Sequence, residues 1–171
     1  MGEVSPAEAT IERLRPLLSA GEERSPWYLI SQQDISAFAE LTHDHNFIHV
    51  DPVRAASESH FGTTIAHGFL TMSLLPHLIN EMPREVDSPY RHAATMVNYG
   101  FDKLRFVSPV KVGSRIRARR TLVDVRPKGP DWVLLSHAVV VDIEGEAKPA
   151  FVGRWLTLMV CRADVPSAGG A

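Results

Sequence analysis

Apolar positions repeat with a helical period over roughly the first half of the chain and with a period of two over the second. Ser5-Pro6-Ala7-Glu8 combines an N-cap serine, a proline at the first helical position and a glutamate three residues after the serine, the signature of a capping box. Ile11, Leu14, Leu17 and Leu18 follow at helical spacing, predicting an amphipathic helix from Pro6 to Ala20 that is interrupted near Pro16. Trp27 to Ile30 reads as a short strand, and Ser31 to Asp34 caps a helix with Ile35, Phe38, Ala39 and Leu41 facing inward. Thr42 to Asp51 is polar enough to be a loop, Asp51-Pro52 starts a short helix to about Ser59, and Gly62 to Thr64 is a turn. Ile65 to Asn80 is apolar almost all round, which predicts a buried helix.

Beyond Met82 to Arg91, β-branched runs predict strands at Ala94 to Phe106, Ser114 to Val125, Asp131 to Ile143 and Lys148 to Arg162. Turn residues at Val112-Gly113, Pro127 to Pro130 and Glu144-Gly145 separate them as antiparallel neighbours. A buried helix followed by such strands implies an α+β fold with the sheet wrapped around that helix. The length of 171 residues suits one domain. We expect it to span residues 1–165, with a helical extension at about 6–20 and a disordered tail at 166–171.

Composition narrows the function. With 44% hydrophobic and 22% charged residues the chain is an ordinary folded one, and a net charge of −2 gives no reason to expect nucleic acid as a partner. Cys161 is the single cysteine, so neither an intrachain disulfide nor a Cys-cluster zinc site is available. The first 23 residues lack the apolar core of a signal peptide, and no apolar run approaches the ~20 residues of a membrane helix. We therefore expect a soluble, cytoplasmic protein without a membrane partner.

Four of the eight histidines, His43, His45, His49 and His60, crowd beside Asp44 and Asp51. Three readings compete: solvated loop histidines, a metal site of His43, His45 and His49, or an acid–base pair in which Asp44 and His49 touch one water. His67-Gly68 opens the buried helix. There Gly68 either offers an N–H at the positive end of the helix dipole to a ligand carbonyl or merely lets the helix pack closely. Arg115, Arg117, Arg119 and Arg120 read as a solvated sheet face or as contacts for an anionic ligand, alongside Lys103 and Arg105.

The ordered motifs Phe38-Ala-Glu-Leu-Thr-His-Asp44-His-Asn46-Phe-Ile-His49-Val-Asp51-Pro52, Phe61-Gly62 and Ile65-Ala-His67-Gly68-Phe-Leu-Thr71 resemble the MaoC-like family of R-specific enoyl-CoA hydratases. Within it they look most like the nodulation-protein-N branch. Val97-Asn98-Tyr99-Gly100 and the stretch from Lys103 to Gly113 extend the resemblance, which runs from about Ser31 to Leu158. It implies a hot-dog fold, a long helix wrapped by an antiparallel sheet. It also implies that Asp44 and His49 are the catalytic pair of an Asp-x4-His motif, that Gly68 donates its N–H to the thioester carbonyl, and that Asn46 and His67 complete the substrate-binding side. Two positions depart from the family's pattern, which commonly has Gly before the Asp and Pro after the Asn: this chain has His43 and Phe47.

The implied reaction is hydration of trans-2-enoyl-CoA to (R)-3-hydroxyacyl-CoA, or its reverse, in fatty-acid metabolism. It would need no metal and no organic cofactor, would take an acyl-CoA or acyl-carrier-protein thioester, and would be carried by a homodimer or a dimer of dimers. A hot-dog thioesterase would usually place a carboxylate on or near the central helix, whereas Gly68 to Ile79 has none. A non-catalytic acyl-thioester binding module would have no use for the Asp44/His49 pair.

Overall fold

The computed structural model describes residues 4–83 and 88–161; the expected tail at 166–171 lies outside them. Helix α1 (Pro6–Leu14) has the predicted capping box, Ser5 and Glu8 satisfying each other's backbone N–H groups. Pro16 has no N–H for the helical ladder, and the chain continues as a 3-10 turn over Arg15–Ser19. Strands β1 (Glu23–Arg24) and β2 (Tyr28–Leu29) lead to α2 (Gln32–Thr42), whose Ser31/Asp34 capping box fixes its start. Packing of Ile35 and Ala39 buries the face expected of α2, but Leu41 is 79% exposed and does not face inward.

 Ile35 and Ala39 are fully buried, while Leu41 lies off that stripe, in the last turn of the helix.

The segment expected as a plain loop holds a helical turn, α3 (Phe47–Val50), capped by the Asn46 side chain, which accepts from the Ile48 N–H. Helix α4 (Pro52–Glu58) follows, capped by Asp51. The central helix begins later than its apolar pattern suggests. Residues 65–67 are extended: the Ile65 N–H donates to the Ile48 carbonyl and the Ala66 N–H to Val110. Helix proper runs as α5 (Gly68–Ser73) and α6 (Leu75–Asn80), joined through Leu74, which keeps helical dihedrals. The break falls where Pro76 has no N–H to offer the Met72 carbonyl. Nor is the helix buried all round, since Phe69 is 62% exposed on the side the sheet leaves open.

Strands β3 (Ala93–Phe106), β4 (Arg115–Pro127), β5 (Trp132–Ile143) and β6 (Phe151–Cys161) form an antiparallel sheet in the order β1-β4-β5-β6-β3, with β2 also on β4. The β4–β5 and β5–β6 neighbours are as the turns predict. The β3–β4 pairing is not: β3 crosses to the far edge and pairs with β6, while residues 110–112 bond to residues 64–66 ahead of the central helix, with Lys111 bridging Ile65. Leu70, Leu75, Leu78 and Ile79 pack into the concave face against Ile116, Val139, Val141 and Phe151, each fully buried leucine contributing about 1.5–3 kcal/mol. A second cluster, with Ala7 and Leu14 of α1 against Leu122, Leu135 and Met159, covers the other end of the strands. This helix-in-sheet arrangement is the hot-dog fold.

The arginine strand divides. Arg115 pairs with Glu144, and Arg117 and Arg119 with Asp142. Arg120 instead falls in register with Ile116 and Ala118 on the core face, where it is 8% exposed and paired with Glu23 of β1.

Candidate active site

The loop after α2 is built by backbone geometry. His43 ends the helix in the left-handed region at φ 59°, a conformation in which a side chain is penalised and glycine is not. This reversal turns the chain at Asp44, whose side chain stays 56% exposed. The one-turn helix α3, started by Asn46, then brings His49 round beneath it. Phe47 holds the first helical position, where proline is favoured, and its ring packs under the Arg54 guanidinium at 4.2 Å.

His49 is 8% exposed, and its Nδ1 lies 2.7 Å from the Ile65 carbonyl oxygen. A carbonyl only accepts, so Nδ1 carries the proton and Nε2 keeps its lone pair. The His67 Nε2 lies 3.0 Å from the backbone carbonyl of Asp44 and is therefore a donor by the same reasoning. It is 3.9 Å from the Asp44 carboxylate. The two imidazoles stack with centroids 3.8 Å apart. The side-chain ligand atoms of Asp44, His49 and His67 all lie within 4.8 Å of one another. Burial pushes the His49 pKa below its ordinary value; the Ile65 carbonyl opposes this, His67 adds to it and Asp44 opposes it. His49 is consequently neutral near pH 7, with a basic Nε2.

Each site residue from the sequence has a definite place. Gly68 opens α5 at the rim of a cavity of about 350 Å³ that His49, Thr71 and Phe106 also line. A Cβ there would come within 3.1 Å of the Phe106 ring, so close packing is one reason for the glycine, and the unpaired N–H of a first helical turn is available beside it. Asn46 shapes the loop through its cap. His43 and His45 do not join the cluster: His45 is turned toward Glu40 at 3.6 Å on the surface. Among the described residues the group with metal-ligand spacing is Asp44, His49 and His67. The His67 nitrogen facing Asp44 is a proton donor, and its Nδ1 has no hydrogen-bond partner among the described residues.

Sequence reasoning missed the brace behind this site. The Gln32 side chain donates to the His49 carbonyl at 2.8 Å and accepts from the Thr64 hydroxyl at 2.6 Å, tying α2, α3 and the 64–65 segment together. No motif marks Gln32, since its role depends on a segment 32 residues away. Asn98 and Tyr99 line a different cavity beside Met72 and Pro76, and Tyr99 is engaged by Lys128.

The family model described as "MaoC like domain" matches residues 18–133. The chain belongs to the MaoC-like dehydratase family. Within the family it is 45% identical over 85% of its length, and 88% of the relative's, to Nodulation protein N of Rhizobium meliloti. It is 44% identical over 84% of its length, and 93% of the relative's, to 3-hydroxyacyl-thioester dehydratase Z of Mycobacterium tuberculosis. The MaoC-like fold is shared with the solved (R)-hydratase from A. caviae involved in PHA biosynthesis, with a TM-score of 0.63 and 24% identity over 80% of this chain and 92% of that one. The two departures from the MaoC-like motif gain a physical meaning here, because His43 occupies a left-handed position and Phe47 a first helical position, the places that suit Gly and Pro.

Proposed function

We propose that the chain catalyses R-specific hydration of trans-2-enoyl-CoA to (R)-3-hydroxyacyl-CoA, or the reverse dehydration, with Asp44 and His49 as the catalytic pair. The observation that carries this reading is the neutral His49, its Nδ1 proton held by the Ile65 carbonyl, with a ring nitrogen within 4.8 Å of the Asp44 carboxylate. Water is a poor nucleophile, so a base must take its proton as it attacks C3, and a proton must reach C2 on the same face. Asp44 and His49 share these duties through one water. Charge that builds on the thioester oxygen meets the Gly68 N–H at the start of the central helix. Asn46 holds the loop in shape, and His67 positions both partners. The chemistry asks for no metal.

Acyl-CoA and acyl-carrier-protein thioesters present the same reacting group, and either suits the site. A cytoplasmic setting fits such substrates; no helix among the described residues is long and apolar enough to cross a membrane. The proposed assembly is a homodimer, or a dimer of such dimers, formed along β3. Among the described residues that strand has a partner on one side only, and it carries half-exposed Met96, Val97 and Tyr99, an edge that needs cover. An active monomer by light scattering at micromolar concentration would rule the dimer out.

The reaction is tested with crotonyl-CoA. Loss of the conjugated-thioester absorbance without release of free thiol, together with an R product, is the expected result. Thiol release would identify a thioesterase, and tight binding without either signal a non-catalytic module.

A further inference from the structure

Residues four apart on a helix share a face, and Gly68, Met72, Pro76 and Asn80 form such a stripe along α5 and α6. Twelve residues at 1.5 Å each give the stripe a length of about 18 Å. Cavities follow it. The one at Gly68 and Phe106 is lined by His49 of the dyad; the next lies at Met72 and Pro76 beside Phe101 and Trp155. The third, a chamber of about 270 Å³, shares Pro76, Asn98 and Trp155 with the second and ends at Tyr90, Arg120, His137 and Thr157.

This end chamber is unlike an ordinary piece of core. His137 is 1% exposed; its Nε2 is 3.2 Å from the Tyr90 hydroxyl, and its Nδ1 has no hydrogen-bond partner among the described residues. Thr157 is 2% exposed, and its hydroxyl likewise has no partner among them. Buried polar atoms are normally paired because leaving them dry is costly, so two orphans in one chamber call for a bound group. Arg120 does not supply the attraction, since Glu23 takes its guanidinium at 2.7 Å. A group that fits is therefore polar but uncharged. A hydroxyl suits best, because it donates and accepts and so satisfies either tautomer of His137. Ile79, Met96 and Trp155 offer the same occupant an apolar wall.

We infer that the chamber receives the far end of a long acyl chain, and that the preferred substrates carry a neutral oxygen function, a hydroxyl above all, at or near that end. The inference rests on the acyl-thioester reading above, with the thioester at Gly68 and the chain laid along the helix stripe toward His137 and Thr157.

Binding of two saturated thioesters, dodecanoyl-CoA and ω-hydroxydodecanoyl-CoA, tests it by calorimetry on the whole protein. Neither has a double bond, so the result does not depend on turnover. One well-placed hydrogen bond predicts that the hydroxylated ester binds about 10-fold tighter. Thr157→Val, which removes an unpaired hydroxyl at nearly constant volume, should bring the ratio toward one while the protein stays folded. His137→Gln should reduce it as well. A wild-type ratio of one, a ratio untouched by both substitutions, or failure of both esters to bind overturns the inference. The crotonyl-CoA assay separates the two readings: hydration with a ratio of one leaves the hydratase and removes the polar terminus, whereas a 10-fold ratio without hydration leaves the chamber and removes the reaction.

Discussion

The imidazoles of His49 and His67 lie face to face, 3.8 Å between centroids and 27° from parallel, and each ring is anchored to the backbone of the segment that bears the other's partner. His49 donates to Ile65, two residues before His67, while His67 donates to Asp44, five residues before His49. Under the proposed mechanism, this reciprocal arrangement makes His67 a positioning residue. We predict that His67→Leu lowers kcat about 10-fold or more with little change in KM, because the loss falls on alignment of the dyad. His67→Gln, which keeps an N–H donor, should recover most of that loss. Equal kcat values for the two variants would remove the positioning role.

Asp44 and His49 should behave as one unit. Asp44→Asn and His49→Gln are each expected to reduce turnover by at least ~10²-fold, with the double variant falling little further, since either change disables the same water. Steady-state rates on crotonyl-CoA, read beside thermal melts, check this. Additive losses in the double variant would mean that the two groups act separately.

His43 holds a left-handed conformation that costs a side chain about 1–2 kcal/mol, partly offset because glycine would loosen the unfolded chain. His43→Gly should therefore stabilise the protein by about 0.5–1 kcal/mol. At this size that is a rise in Tm of about 2 °C, measured by calorimetry. A lower Tm would show that the His43 side chain contributes more than its backbone costs.

Burial lowers the pKa of His137 to about 3, with the charge of Arg120 adding to the effect, against about 6.5 in an unfolded chain. Between those values the unfolded chain holds a proton that the folded one does not. Stability is thus complete above about pH 6.5 and declines as pH falls toward 3, by up to about 1.4 kcal/mol per unit. His49, also lowered, acts in the same direction. Urea unfolding at about pH 7 and about pH 5 should give a clear difference in midpoint, and His137→Gln should shrink it. An unchanged pH dependence in that variant would assign the acid sensitivity elsewhere.

Local chemistry was legible in the residue order. Ser5 with Glu8, Ser31 with Asp34 and Asp51 with Pro52 mark helix starts because a cap is made by residues within three positions of one another. The four long strands and the Asp44, His49 and Gly68 motif were likewise readable. Some local patterns misled, and for local reasons: Phe47 to Val50 is polar in context yet closes a turn on the Asn46 cap, and Ile65 to His67 is apolar yet extended. What the order of residues could not carry was long-range pairing. Only the fold decided that β3 joins β6, that Arg120 turns inward to Glu23, and that Gln32 braces His49. The tautomer of His49 is of the same kind, since it depends on a carbonyl 16 residues away. Hydrogen-bond partners at that range are set by which surfaces pack together, and a periodic pattern says which face is buried but not against what.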